Sequence, residues 1–264
     1  MNIGLIIIGD EILSGKRQDK HLPKVIELLS ARGLRLSWAR YLGDERDEIA
    51  AVLSQAMAGG DLVFSCGGIG ATPDDHTRQA AAAASGRPLE LHPEARELIT
   101  QRMRDVAAEQ GQSFDPDRAD NVHRLNMGVF PQGASIIPNP YNKIPGFSIG
   151  HVHFVPGFPV MAWPMIEWVL DTLYPGLRQG APQSERSVIV FGAMEATLTP
   201  LMEQVQARHA AVRVFSLPSV DHPEWGRHIE LGVKGPVSLL DDAFETLKIG
   251  LRAHQVQLGP EMVR

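Results

Sequence analysis

Two pairs of adjacent carboxylates, Asp10-Glu11 and Asp74-Asp75, each stand close behind glycine and a short apolar run. The second pair lies in FSCGGIGATPDDHT, residues 64–77, where Gly67, Gly68 and Gly70 precede the aspartates. Bare backbone lets N–H groups approach a ligand closely. The N-terminus of a following helix adds donors and a positive dipole end. That combination suits a phosphate or another anion, although the spacing is neither a Walker loop nor G-x-G-x-x-G. Carboxylates repel phosphates unless a cation lies between them. Magnesium does this with one or two carboxylates, phosphate oxygens and water. A local reading stands beside the chemical one. Asp74 would cap a helix with Asp75 in its first turn, and Asp10 and Glu11 would pair with Lys16 or Arg17.

The flanking pattern says what positions these residues. Ile3–Ile8 is a continuous apolar run, as in a strand buried on both faces. Leu22, Val25, Ile26 and Leu29 follow helical spacing, and residues 34–42 read as a second strand. Ile49, Val52, Leu53 and Ala56 mark another helix, and residues 61–65 a third strand. This βαβαβ order predicts a parallel sheet with covering helices. Ligands in such sheets sit beyond the carboxyl ends of the strands. If strands one and three are neighbours, both carboxylate pairs face one crevice, where they are costly without a metal or shared protons. Helices are expected over 78–84, roughly 93–110 and about 160–173, with an exposed loop at 111–121 and short strands within 134–159.

The expected division is a main domain over 1–173, a Pro- and Gly-rich linker over 174–186 and a small domain over 187–264. The second domain reads βαββα(β), a ferredoxin-like α+β order. The chain has 264 residues, is 44% hydrophobic and carries a formal net charge of -6. With no Lys/Arg-rich run, a nucleic-acid surface is not expected. No apolar stretch approaches a membrane span, and the N-terminus lacks a basic region before its short apolar run. A cytoplasmic protein is expected. The single cysteine, Cys66, excludes an intramolecular disulfide and a Cys-based zinc site.

Gly9-Asp10-Glu11-Ile12-Leu13-x-Gly15, with Gly67-Gly68-x-Gly70-x-x-x-Asp74-Asp75-x-Thr77, resembles the molybdenum-cofactor biosynthesis (molybdopterin-binding) domain family. It is similar in particular to the form found at the N-terminus of competence/damage-inducible proteins. Pro138-Asn139-Pro140, Pro145-Gly146-Phe147 and Pro156-Gly157-Phe158-Pro159 follow in the family's order, so the resemblance covers about residues 1–173. It implies a three-layer α/β/α fold with a mostly parallel sheet. It implies a pterin- or nucleotide-diphosphate ligand such as molybdopterin, with a divalent metal such as Mg²⁺. It also implies metal-dependent cleavage of a pyrophosphate bond, as in ADP-ribose or FAD. A non-catalytic binding module, and adenylyl transfer or metal insertion in cofactor synthesis, are the alternatives.

On this resemblance, Asp75, Asp74 and Glu11 are the candidate catalytic residues, and Asp10, Asp74 and Asp75 the candidate metal ligands. Gly67, Gly68, Gly70, Thr72, Thr77, Lys143, Asn139, Pro156 and Gly157 are the candidate ligand- and phosphate-binding residues. The chain departs from the family's pattern at Arg124–Gly128 and at Asn142-Lys143-Ile144, where Lys143 offers a replacement positive charge. Self-association as a dimer or trimer is the family habit. Cys66 suits a buried strand end better than a nucleophile's setting. His151 and His153 alternate on a strand without an evident third metal ligand. His76 lies beside the aspartates, and Trp163 reads as core.

Overall fold

The computed structural model describes residues 2–177 and 183–264. The chain forms two compact units, residues 1–178 and 179–264.

In the first unit, β1 (Ile3–Ile8), β2 (Trp38–Leu42), β3 (Leu62–Cys66) and β8 (Val152–Val155) run parallel. β7 (Gly146–Ile149) and β6 (Ser135–Ile137) extend the sheet by antiparallel pairing, in the order β2-β1-β3-β8-β7-β6. All six residues of β1 are buried, as its unbroken apolar run requires, and the single turn α1 (Asp10–Leu13) follows it. Ile3, Leu5 and Ile7 pack towards α2 (His21–Ser30) and α7 (Pro159–Trp168). Ile6 and Ile8 pack on the other side with α3 (Arg46–Gly59), α4 (Thr77–Ser85) and α5 (Pro93–Glu109). Alternation along one strand thus builds three layers, α/β/α. Phe147 of β7 stacks on Phe154 of β8 at 4.4 Å and on Phe130, outside this sheet, at 4.6 Å between ring centres.

Some elements differ from the sequence pattern. The second strand begins only at Trp38, because β1 is six residues long and its register starts at Gly4 opposite Trp38. Residues 34–36 therefore have no strand to pair with. The stretch 111–121, expected as loop, ends in α6 (Ala119–Leu125). That helix forms on polar contacts: buried Asn121 donates to the Asp115 carbonyl at 2.7 Å, and Arg124 pairs with Asp120 at 3.2 Å. β4 (Leu89–Leu91) and β5 (Val129–Pro131) make a small antiparallel ladder. The last helix stops at Trp168 and continues as a π turn over Val169–Leu173.

The second unit contains β9 (Gln183–Phe191), α8 (Glu195–Arg208), β10 (Arg213–His222), β11 (Gly226–Pro236), α9 (Val237–Ala253) and β12 (Gln257–Val263). Its sheet has the order β10-β11-β9-β12, every pair antiparallel. Leu198, Leu201 and Val205 of α8 and Phe244, Leu247 and Leu251 of α9 cover one face. This is the ferredoxin-like arrangement. β9 starts inside the stretch 174–186 that reads as linker, and Pro175–Leu177 form a short 3-10 turn. Residues 178–182 of that stretch lie outside the described residues. Among the described residues, no helix is long and apolar enough to cross a membrane.

Candidate functional site

A cleft of about 410 Å³ opens at the carboxyl ends of β2, β1, β3 and β8. Each parallel strand delivers a loop to it. Asp44 follows β2, Gly9 and Glu11 follow β1, residues 67–75 follow β3, and Pro156–Phe158 follow β8. Asn139, Asn142 and Ile144, between β6 and β7, form the far wall. The two motifs after strands one and three do share one crevice, because β1 and β3 pair directly.

The glycine loop is shaped by conformations that a side chain would oppose. Gly67 has φ 108° and Gly68 φ 68°. A Cβ at Gly67 would lie 2.3 Å from the Ile8 carbonyl oxygen, and one at Gly68 would lie 2.2 Å from Thr77 Oγ1. Thr77 is buried and outside the cleft lining. It holds the loop from behind, its Oγ1 donating to the Gly67 carbonyl and its N–H to the Gly68 carbonyl, both at 3.0 Å.

Asp75 does not cap α4, nor does Asp74. The helix starts at Thr77, its N-cap residue is His76, and no side chain caps it. Asp75 instead closes the loop on itself. Its Oδ2 accepts from the Thr72 N–H at 2.8 Å and from Thr72 Oγ1 at 2.6 Å. The Thr72 hydroxyl also reaches Asp74, and this bond holds the Asp74 carboxyl below the usual carboxylate range. Behind the loop lies Arg78, buried, donating to the carbonyls of Gly70 (2.6 Å) and Asn126. Burial lowers its pKa, and the neighbouring Asp75 charge opposes that shift.

Asp10 turns away from the cleft lining towards Asp44. Asp44, in contrast, faces the cleft. Burial raises its pKa; the Asp10 N–H bond opposes this, while the charges of Asp10, Glu11 and Asp74 add to it. Arg17 also lines the cleft. Asn139 is buried and organises its wall, donating to Asn142 Oδ1 at 2.8 Å and to the Ile144 carbonyl at 2.9 Å. Lys143 does not line the cleft. It adopts φ 65°, and its Nζ pairs with Asp105 of α5 at 2.5 Å. The wall after β8 is fixed by His21, a buried residue whose Nε2 bonds to the Gly157 carbonyl at 2.9 Å.

Of the residues singled out from sequence, the cleft gathers Glu11, Gly67, Gly68, Gly70, Thr72, Asp74, Asp75, Asn139, Pro156 and Gly157. It leaves out Asp10, Thr77 and Lys143. Sequence reasoning missed Asp44, although Gly43-Asp44-Glu45 repeats the Gly9-Asp10-Glu11 triplet one strand over. It also missed the supports Arg78 and His21, which no spacing marks. Cys66 is buried, and burial pushes its thiol pKa up, so it lacks a nucleophile's setting. His151 and His153 both bond to the Tyr174 hydroxyl, at 3.2 and 2.8 Å. Among the described residues, no group of three or more His, Cys, Asp or Glu stands close enough to hold a metal ion. The carboxylates of Glu11, Asp44, Asp74 and Asp75 are nonetheless the hard oxygen donors that magnesium takes one or two at a time.

An α/β sheet with a glycine loop and carboxylates at its carboxyl edge defines a class of small-molecule binding domain. Residues 4–176 match the family described as "Probable molybdopterin binding domain", and the chain belongs to that family. It is 31% identical over 241 residues to a CinA-like protein of Anaeromyxobacter sp. (strain K), covering 89% of this chain and 56% of that one. A relative from Caldivirga maquilingensis is 30% identical over 217 residues, covering 80% of this chain and 79% of its own. The chain spans about half the length of the CinA-like relatives it matches. The crystal structure of the protein CinA with unknown function from Thermoplasma acidophilum is similar, with a TM-score of 0.55 and 26% identity. That match covers 65% of this chain and 98% of that one.

Proposed function

We propose that the cleft binds a pterin- or nucleotide-diphosphate together with a divalent cation such as Mg²⁺, and that it hydrolyses the pyrophosphate bond of an ADP-ribose- or FAD-like substrate. The observation that carries this reading is the convergence of the Gly67–Gly70 loop with four carboxylates in one cleft. Exposed backbone attracts phosphate, while Glu11, Asp44, Asp74 and Asp75 repel it unless a cation intervenes. One or two of these carboxylates, with Asp74 and Asp75 the first candidates and Glu11 beside them, would hold that cation. When bound, it would offset phosphate charge and lower the pKa of a water. Arg17 supplies positive charge in the same cleft, and Asp44, whose carboxyl pKa is raised by burial, adds a further carboxylate there.

A second reading, a binding module without turnover, draws support from Lys143, whose ammonium is engaged by Asp105 away from the cleft. Adenylyl transfer or metal insertion would use the same cleft. Incubation with ADP-ribose, FAD and NADH plus Mg²⁺, Mn²⁺ or Co²⁺, followed by chromatography, separates the readings. Release of AMP supports hydrolysis. Cation-dependent binding without product supports the module, and no binding of any diphosphate or of molybdopterin overturns both. A cytoplasmic place and self-association as a dimer or trimer belong to the same proposal, and sedimentation tests the latter.

A further inference from the structure

The cleft has a chemical polarity. Its carboxylates lie at the ends of β2, β1 and β3, with the Gly67–Gly70 loop after β3, whereas Ile144, Met127, Met161 and Phe158 give it apolar surface. Phe158 stands out among these, because its side chain is large and 56% exposed. Aromatic rings are normally spent on burial. This one is held in the open by a fixed backbone. Pro156 and Pro159 flank the Gly157-Phe158 pair, and Pro159 begins α7. The Gly157 carbonyl is tied to buried His21. The start of α2, which carries His21, is itself pinned by Asp19, whose carboxylate accepts from the N–H groups of His21 (2.7 Å) and Leu22 (3.0 Å).

The position of this ring relative to the glycine loop is equally constrained. β8 pairs with β3, and Gly67 N–H donates to the Val155 carbonyl at 3.0 Å. A Cβ added to Gly157 would lie 3.5 Å from Gly67 Cα, so the two loops run side by side at backbone contact. Phe158 is the next residue. The glycine loop and the residue that carries the ring thus stand on neighbouring strand ends and line the same cleft, so one small ligand can meet both.

We propose that Phe158 is the specificity-determining residue of the cleft, stacking on the planar ring of a ligand whose diphosphate lies on the Gly67–Gly70 loop. This rests on the diphosphate reading above. It predicts that the protein discriminates ring-bearing diphosphates from ringless ones through this side chain.

Calorimetric titration with Mg²⁺ present tests it, using ADP and inorganic pyrophosphate as paired probes on the parent, Phe158→Ala, Phe158→Leu and Phe158→Trp. A stacked ring lost to alanine weakens binding about ten- to a hundredfold. The expected result is that loss for ADP in Phe158→Ala, with pyrophosphate unchanged. Phe158→Leu should lose most of the same affinity, and Phe158→Trp should retain it. ADP binding that is indifferent to Phe158→Ala, or equal losses for ADP and pyrophosphate, would overturn the assignment while leaving the diphosphate reading in place. A parent that binds neither probe removes the diphosphate reading and this assignment with it.

Discussion

Asp10 and Asp44 hold each other by reciprocal bonds. The Asp10 N–H donates to Asp44 Oδ2 at 3.0 Å, and the Asp44 N–H donates to Asp10 Oδ1 at 3.2 Å. The two carboxylates thus serve as acceptors that lock the loops after β1 and β2 together, and their charges repel. The raised pKa of Asp44 means that the folded protein holds this proton to higher pH than the unfolded chain does. Stability therefore declines as pH rises above the ordinary carboxylate range of about 4. Asp44→Asn keeps an acceptor for Asp10 and removes the charge. The apo variant should melt at or above the parent temperature at pH 7, and the difference should shrink towards pH 4. Any rise in melting temperature that Mg²⁺ gives the parent should be smaller in the variant. A variant less stable than the parent at pH 7 would refute this account.

Asp75 makes two bonds to Thr72 through one oxygen. Asp75→Asn retains an acceptor there, so the apo melting temperature should change little. It removes charge from the cleft, so cation-dependent binding of ADP should weaken by at least tenfold. Asp75→Ala loses both bonds and should cost about 1–2 kcal/mol in chemical denaturation. If Asp75→Asn binds Mg²⁺ and ADP like the parent, Asp75 serves only to close its loop.

The sheet carries a separate pH dependence. His153 is buried between Ser148, at 2.7 Å from Nδ1, and the Tyr174 hydroxyl, at 2.8 Å from Nε2. Burial, with a smaller contribution from His151, lowers its pKa to about 3. Unfolded chains take up this proton first, at about pH 6.5. The contribution is therefore intact above about pH 6.5 and lost progressively as pH falls towards 3. The loss is on the order of 3–5 kcal/mol across that window. Thermal melts from pH 7 to pH 4 should fall steeply in the parent and less steeply in His153→Gln. Equal slopes would assign the acid sensitivity elsewhere. Tyr174→Phe, which removes the hydroxyl shared by both histidines, should cost about 1–2 kcal/mol at pH 7.

Much of the cleft was legible because parallel α/β topology sends every strand end to one edge. The apolar runs of β1 and β3 place Glu11 and residues 67–75 together before any contact is known. Asp44 escaped notice although the strand read over 34–42 ends where β2 ends, at Leu42: its place in the cleft follows from the pairing of β1 with β2, which the strand pattern alone does not state. Lys143 misled because its partner, Asp105, lies 38 residues away on α5. Its charge is neutralised by a contact that no local pattern records. Arg78 and His21 act through backbone carbonyls of distant loops. Such acceptors are present at every residue, so the sequence does not mark which ones are used.

The last prediction separates the shape of the glycine loop from its charge. Gly67 occupies a left-handed conformation at φ 108°, and its missing Cβ leaves room for the Ile8 carbonyl. Gly67→Ala faces both costs at once. The clash is with backbone, at 2.3 Å for an added Cβ, and no side-chain rotation relieves it. The backbone conformation alone costs an L-residue about 1–3 kcal/mol. Movement of the loop would also break the Gly67 N–H bond to Val155, separating β3 from β8 at the cleft floor. Gly67→Ala should therefore lose about 2–4 kcal/mol of stability and should bind neither pyrophosphate nor ADP. Gly157→Ala is the contrasting case, because its added Cβ meets Gly67 Cα at an ordinary 3.5 Å. That variant should fold normally, with the same midpoint as the parent in urea titration. If Gly67→Ala matches the parent in urea titration and in pyrophosphate affinity, the loop is not held by the backbone contacts described, and its glycines need another explanation.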